Sequence, residues 1–502
     1  MKQNPLLMID GYKSSHHKMY PQGTTLVYSN FTPRSVKLMD DNAKDIVVFG
    51  QQYVMQYLHE LFQNNFFNED KNTVIAHAKH YLSSYLNTDY DTSHFEKLWD
   101  LGYLPIKVKA LEEGVVIHEK IPILTIYNTH PDFYWLPNFL ETIISSLIWK
   151  PLHSASIAFA FKKTLTKYAN ETDKDNINFV NFQGHDFSFR GMQHPESAIS
   201  SGLGFLTSFM GTDTVPTLAS AEYYYGTKNA GFSVPASEHA VMCSYGKEDE
   251  LGAFKRILEV YPTGIVSVVS DSFDLWKVCT EYLSELKDIV MNRDGKLVIR
   301  PDSGDPVDII CGTGTNPIYN ADKFKYGENT TNLPEWKGVI ELLWDIFGGT
   351  INEQGYKVLD PHIGAILGDG VNLKRANEIC ERLKAKGFAT TNMVYGIGSY
   401  SMGYATRDNQ GGAVKATYVE VNGEGREIFK DPITDDGLKK SARGLIKVES
   451  EVVIPGVNIY KLVDRCSWEE ENQGELHTIY EDGKFYNQTT LTEIRKRIDS
   501  LV

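Results

Sequence analysis

The string Arg300-Pro301-Asp302-Ser303-Gly304-Asp305 puts three features at the end of one apolar run: a cation suited to phosphate, a carboxylate suited to ribose hydroxyls or hydrated magnesium, and a glycine-relaxed turn. A plain turn would use the same residues. Gly368-Asp369-Gly370 and Gly396-Ile397-Gly398-Ser399 also close apolar runs, and their bare backbone N–H groups can approach a phosphate closely. Each string is common alone; together, beside the arginine string, they point to a sugar phosphate. His185-Asp186-Phe187-Ser188-Phe189-Arg190-Gly191 adds an aromatic face for a flat ring at Phe187 and a cation for an acceptor or phosphate at Arg190. Its competing reading puts both phenylalanines in the core and Arg190 in a salt bridge. Gly211-Thr212-Asp213-Thr214 lies between the apolar runs 203–210 and 215–219, so Asp213 is expected to be less solvated than a surface aspartate and to need a donor, or else to cap a helix. His239, in Ser233-Val234-Pro235-Ala236-Ser237-Glu238-His239, suits a nucleophile, a base or a satisfied core histidine. Arg34, Arg407 and Lys415 read locally as solvated surface charges.

These strings share a positioning grammar in which an apolar strand stops abruptly at Gly, Asp or Arg and an amphipathic helix often follows. Residues 265–270 run into Asp271-Ser272-Phe273-Asp274, and the next helix carries Leu275, Val278, Cys279, Tyr282 and Leu286 on one face. Residues 297–300, 363–367 and 393–395 end in the strings above, with Asn372 as N-cap and Gly387 as stop of the helix after the second. Earlier candidates for strand ends are 179–183 and 211–214. Near-continuous apolar strands alternating with helices imply a parallel sheet covered on both faces, in the α/β class. A doubly wound open sheet shares this grammar, but so many functional ends exceed what one crevice would use, which favours an irregular α/β barrel. Around it the period differs: 51–63 reads as a helix, 104–127 as antiparallel strands, and 416–421 before Asn422-Gly423 as a hairpin. The expected organisation is a mixed β-rich and helical domain at 1–150, the barrel at 151–403, and a segment at 404–502 that completes the β-rich domain. The polar stretch 312–332 reads as a surface insertion.

With 65 acidic and 50 basic residues the chain carries a net charge of -15, which argues against nucleic-acid or anionic-membrane partners and requires a locally basic pocket for any anionic substrate. Cys243, Cys279, Cys311, Cys380 and Cys466 are odd in number, far apart and never in C-x-x-C pairs, which fits reduced thiols in the cytoplasm. Asp10 and Lys13 interrupt the start of the chain before a signal-peptide core develops, and Glu141, Lys150, Pro151 and His153 interrupt the apolar stretch 135–161, which therefore reads as buried helices; no export or membrane anchoring is expected.

Taken together and in order, Asp10-Gly11-Tyr12-Lys13, Tyr20-Pro21, His185-Asp186-Phe187, Gly211-Thr212-Asp213-Thr214, Ser233-Val234-Pro235-Ala236, Glu238-His239, Val268-Val269-Ser270-Asp271-Ser272, Arg300-Pro301-Asp302-Ser303-Gly304 and Gly368-Asp369-Gly370 closely resemble the nicotinamide phosphoribosyltransferase family. The likeness continues through Phe429-Lys430-Asp431-Pro432 to Leu476-His477-Thr478 and Glu493-Ile494-Arg495, nearly the whole chain. It implies a homodimer with shared active sites, an α/β barrel flanked by a β-rich domain, nicotinamide and phosphoribosyl pyrophosphate as substrates, Mg2+ as cofactor and ATP as an optional coupling substrate. It names no metal ligand. By the same resemblance Phe187 and the partner subunit's Tyr12 sandwich the pyridine ring, Arg190 meets the amide oxygen or phosphate, and Asp213 accepts the amide N–H. Arg300 and Asp302 hold ribose and phosphates, Gly368 and Asp369 lie beside the ribose, and Gly398 and Ser399 near the 5′-phosphate. Asp10, Ser233, Asp271 and Asp274 join the binding set, and the second subunit adds Arg34, Arg407 and Lys415. His239 matches the histidine that becomes phosphorylated when ATP hydrolysis is coupled to synthesis, so His239, Arg300 and Asp302 are the catalytic candidates. The family's animal members carry a run of glycines where this chain has Gly398-Ser399-Tyr400, a departure at the phosphate loop.

Ribosyl transfer of this kind develops positive charge on ribose and negative charge on departing pyrophosphate, and the pyridine nitrogen already has its lone pair. Catalysis is therefore expected to rest on positioning and electrostatics. Asp213 would favour the amide over the acid, because like-charge contact in a poorly solvated pocket costs several kcal/mol. The alternatives are a nicotinate phosphoribosyltransferase and a non-catalytic sugar-phosphate-binding regulator. An aldolase-like barrel would want a lysine at a strand end, and none of those read above supplies one.

Overall fold

Strand Ala413–Val421 buries Val414, Val419 and Val421 and leaves Lys415 exposed, the alternation of a sheet with one wet face. Asn422 and Gly423 both take positive φ, 53° and 77°, which a two-residue hairpin turn requires, and Val421 duly pairs with Glu424 of strand Glu424–Glu427. The computed structural model describes residues 3–315, 333–429, 442–454 and 457–502, which form two compact units. The first comprises residues 1–156, 220–228 and 405–501, and the second residues 157–219, 229–404 and 502. Residues 316–332 of the expected insertion and Lys430-Asp431-Pro432 lie outside the described residues.

The first unit is built on a seven-stranded antiparallel sheet, in the order Glu424–Glu427, Ala413–Val421, Thr24–Thr32, Leu124–Asn128, Ile106–Ala110, His477–Glu481 and Lys484–Phe485. Both chain ends thus share one sheet, as expected of the β-rich part. The expected helix at 51–63 runs Gln51–Phe62, with Val54, Met55, Leu58 and Leu61 buried. A buried Lys109–Glu471 ion pair of 3.0 Å is completed by the Tyr28 hydroxyl, which donates to Glu471 at 3.0 Å.

The second unit holds six parallel strands, ordered Gly211–Thr212, Gly184–Asp186, Met393–Ile397, Ile363–Leu367, Asp294–Arg300 and Thr263–Val269. The two edge strands are joined by the segment 232–237. Phe232 bridges to Gly211 on one side and Ala236 to Ser267 on the other, both in parallel sense. The amide of Thr212 donates to Phe232 O at 3.0 Å and that of Ser267 to Pro235 O at 2.9 Å. The ring therefore closes with its staves in chain order, which is an irregular α/β barrel. One expected strand is corrected: residues 180–183 are helical, Val180–Gln183, and the strand begins at Gly184. Gln183 ends that helix by donating to Thr390 O at 2.9 Å and Met393 O at 3.0 Å, and only at Gly184 is there room beside the Phe209 ring, which a Cβ would meet at 2.8 Å. Helix Leu373–Ala385 is capped by Asn372, which accepts the Arg375 amide at 2.9 Å, and it is followed by Gly387 at φ 75°. The stretch 135–161 is helical apart from short breaks, and no helix among the described residues is long and apolar enough to cross a membrane.

Candidate active site

Strand alternation sorts the first string. Asp186 turns into the core, where it accepts the Ser188 amide at 2.9 Å and hydroxyl at 2.6 Å; burial pushes its carboxyl up and these bonds pull the other way. His185 and Phe187, two residues apart, share the opposite side, with ring centroids 5.0 Å apart. Phe187 is fixed by its amide, which donates to Ile397 O at 3.1 Å, and by Gly396, where any Cβ would overlap the ring. The Arg300 guanidinium carbon stands 5.9 Å from the Phe187 centroid. Its Nε is buried and has no hydrogen-bond partner among the described residues.

Asp213 leaves the next stave. Its Oδ1 accepts from Ser233 Oγ at 2.6 Å and from His185 Nε2 at 2.9 Å, and Ser233 Oγ is 3.4 Å from the same imidazole nitrogen. Its side chain is 46% exposed, wetter than the flanking apolar runs suggested. Burial raises the carboxyl, but the His185 and Ser233 hydrogen bonds, with the His185 and Arg300 charges, outweigh it and leave the pKa below the ordinary value. Asp213 is therefore an anion at neutral pH, with both recorded bonds on Oδ1 and Oδ2 left to accept from a ligand.

A second cluster joins four stave ends. Asp271 Oδ1 takes His239 Nε2 at 3.1 Å, while Oδ2 accepts the Ser303 amide at 2.7 Å, the Ser303 hydroxyl and the Asp302 amide at 3.2 Å. Burial raises Asp271, and the Ser303 and His239 bonds hold it below the ordinary carboxylate range. His239 opens a five-residue helix, His239–Cys243, with a 44% exposed side chain, which sets aside the core-histidine reading. Asp302 packs on Gly368, where a Cβ would overlap Oδ1, and the Gly368 amide donates to Pro301 O at 3.2 Å. Asp369 is exposed at the same loop. Asp274 instead spends Oδ1 on its own helix, accepting the Trp276 and Lys277 amides, each at 3.0 Å. Arg190 sits exposed on the turn Phe189–Gly191, and Gly191 lies so close to Ser399 that a Cβ would overlap its Oγ. Gly398 precedes the short helix Ser399–Met402. The barrel unit thus brings together Phe187, Asp213, Ser233 and Arg300 as one cluster, His239, Asp271, Asp302 and Gly368 as a second, and Arg190, Gly398 and Ser399 around a third loop.

The remaining candidates belong to the other unit. Tyr12 is 58% exposed beside His16, at 5.3 Å between centroids, and Asp10 accepts the Thr142 hydroxyl at 2.8 Å. Burial, then Glu141 and Asp10, raises the Tyr12 hydroxyl, with Arg407 opposing. Arg34 Nε donates to Gly411 O at 2.8 Å, Arg407 reaches Asp408 at 3.1 Å, and Lys415 pairs with Asn30 in the sheet.

No group of three His, Cys, Asp or Glu side chains able to hold a metal occurs among the described residues. His185 and Ser303 were not singled out in the sequence. Strand alternation would have found His185, two residues before Phe187. Nothing local marks Ser303, whose partner Asp271 is 32 residues away.

Residues 182–484 match the family model for the nicotinate phosphoribosyltransferase (NAPRTase) family, and residues 4–108 that for the nicotinamide phosphoribosyltransferase N-terminal domain. A nicotinamide phosphoribosyltransferase of Acinetobacter baylyi is 48% identical over 99% of this chain and 97% of its own. Two solved structures share the fold at 16% identity: a nicotinate-nucleotide pyrophosphorylase from Pyrococcus furiosus, with TM-score 0.55 over 99% of this chain and 95% of its own, and the human nicotinic acid phosphoribosyltransferase, with TM-score 0.51 over 98% and 93%.

Proposed function

The chain belongs to the nicotinamide phosphoribosyltransferase family and is an enzyme of the phosphoribosyltransferase class, and we propose that it joins the ring nitrogen of nicotinamide to C1 of phosphoribosyl pyrophosphate, giving nicotinamide mononucleotide and pyrophosphate for NAD salvage. The observation that carries the choice of base is the ionised Asp213, held by Ser233 and His185 next to the Phe187 ring. Its Oδ2 accepts an amide N–H and repels a carboxylate, which sets nicotinamide ahead of nicotinate.

Phe187 offers its face to the pyridine, and Arg300 lies within reach of phosphate or ribose oxygens on the same side. The ring nitrogen attacks with its own lone pair, so the protein positions the reactants and stabilises charge rather than moving a proton. Magnesium, when bound, would neutralise the departing pyrophosphate. Asp302, which packs on Gly368, and the exposed Asp369 beside that glycine would supply oxygen donors to it. A site completed by substrate oxygens fits the preference of Mg2+ for one or two carboxylates plus phosphates. In a second role, His239, oriented by the 3.1 Å contact of its Nε2 with Asp271 Oδ1, would accept a phosphoryl group from ATP. Asp10, Tyr12, Arg34, Arg407 and Lys415 would act on the substrate bound by a partner subunit in a homodimer. Five unpaired cysteines fit a reducing cytoplasm.

Purified protein incubated with both bases, phosphoribosyl pyrophosphate and Mg2+, with and without ATP, tests the reading. Nicotinamide mononucleotide as the main product supports it, and nicotinate mononucleotide as the main product overturns the assignment of the base. Cross-linking and sedimentation test the dimer, with a monomer at assay concentration counting against shared sites.

A further inference from the structure

The helix that follows Gly368-Asp369-Gly370 carries an arginine that the reaction described above does not use. Arg375 lies in the first turn of helix Leu373–Ala385, and its Nη1 donates to Gly370 O at 2.6 Å. Its guanidinium carbon stands 5.6 Å from the centroid of Tyr400, in the short helix Ser399–Met402 that follows Gly398. No carboxylate pairs with Arg375 among the described residues, so its fixed charge is spent on a carbonyl and a ring. A second tie runs parallel to it, because Ser401 Oγ donates to Val371 O at 2.7 Å. Tyr404 adds an edge contact to Tyr400 at 5.5 Å between centroids.

These contacts matter because both loops are short and rich in glycine. Gly370 has φ 66°, a conformation that costs glycine little and gives no side chain to anchor it. Four residues are too few for a self-supporting helix. Gly398 precedes that helix, and Gly403 follows it, so close to Ser399 O that a Cβ would stand 2.8 Å away. A glycine-rich loop that must order itself around a phosphate loses conformational entropy on binding, and a prior tie removes part of that cost. Arginine suits the task where lysine does not, since its planar fork can donate in plane to a carbonyl and stack its face on a ring.

We propose that Arg375 is a positioning residue, which by bridging Gly370 O and the Tyr400 ring braces the 398–403 loop, expected near the 5′-phosphate of the phosphoribosyl substrate, against the 368–371 loop, expected beside its ribose. The proposal rests on the transferase reading above. It gives Tyr400, which stands where the family's animal members have glycine, a task in this chain: the ring offers the guanidinium a contact that glycines lack.

Two measurements on the full-length protein test it, with Arg375→Ala, Arg375→Lys and Tyr400→Ala. Amide hydrogen exchange of the substrate-free protein is expected to quicken at 368–371 and 398–403 in both alanine variants, with the rest of the barrel unchanged. In steady-state assays the alanine variants raise KM for phosphoribosyl pyrophosphate about tenfold, equivalent to about 1.4 kcal/mol, with KM for nicotinamide within twofold of wild type and Arg375→Lys restoring only part of the loss. Unchanged exchange in both alanine variants overturns the brace. Quickened exchange with an unchanged KM for phosphoribosyl pyrophosphate overturns its role in phosphate positioning. A wild-type chain that makes no mononucleotide counts against the transferase reading itself, and the exchange data then decide the brace alone.

Discussion

Replacing Asp213 by asparagine removes a charge and almost no volume, which isolates the electrostatic part of base selection. In the wild type, Ser233 Oγ at 2.6 Å and His185 Nε2 at 2.9 Å hold Oδ1, and the carboxyl is kept ionised. A nicotinate carboxylate about 4 Å from this anion would meet a repulsion of about 4 kcal/mol at an effective dielectric of about 20. The Asp213 side chain is 46% exposed, so solvent and salt screen a substantial share of that. About 2 kcal/mol remains, which corresponds to roughly thirtyfold in relative kcat/KM. The introduced asparagine keeps an acceptor for Ser233 and His185 and presents an amide N–H that now favours the acid. The assay is a competition of nicotinamide against nicotinate at equal concentration, with both mononucleotides quantified by mass spectrometry. A fall of about thirtyfold in the product ratio is expected. A folded Asp213→Asn protein whose ratio stays within about threefold of wild type would refute the electrostatic reasoning, since that corresponds to well under 1 kcal/mol.

Gly396→Ala drives a methyl group into the Phe187 ring and to 2.7 Å from Leu367 O, so KM for nicotinamide should rise more than about tenfold with little change for phosphoribosyl pyrophosphate; equal effects on both substrates would contradict the ring-shelf role. His239→Ala should bring the ratio of rates with and without ATP to unity and abolish acid-labile phosphate incorporation, and retained labelling would place the phosphoryl acceptor elsewhere. Burial holds the Glu113 carboxyl up at about 7 from an ordinary 4.5, against the pull of the Gln52 and Gly50 amides. The stability this contributes is complete below pH 4.5 and is lost as pH rises to about 7, a change of about 3 kcal/mol. Glu113→Gln, which keeps the acceptor, should flatten Tm between pH 5 and pH 7.5, and a Tm–pH slope equal to wild type would show that Glu113 does not titrate there.

The barrel was legible in the chain wherever an apolar run ended abruptly, as at Arg300, Leu367 and Tyr395, because a strand buried on both faces needs an unbroken apolar code. The stave 232–237 was not, since Pro235 and its neighbours form single bridges rather than a ladder and carry no such run. The short alternation at 179–183 suits a strand, yet the Gln183 amide finds two backbone carbonyls only from the end of a helix. Within the site, Phe187, Asp213, Arg300 and Asp302 were visible by residue type. The links that give them meaning, His185 to Asp213 and Asp271 to Ser303, span 28 and 32 residues and depend on which stave ends are neighbours. Asp213 proved wetter than its apolar flanks implied, because a stave end projects a residue out of the layer that its neighbours line.

Wild-type protein supplied with nicotinamide, nicotinate, phosphoribosyl pyrophosphate and Mg2+ together decides the choice of base in a single product measurement. Nicotinamide mononucleotide is expected in large excess, accompanied by an equal amount of pyrophosphate. Nicotinate mononucleotide in excess, or no mononucleotide from folded protein, would contradict it.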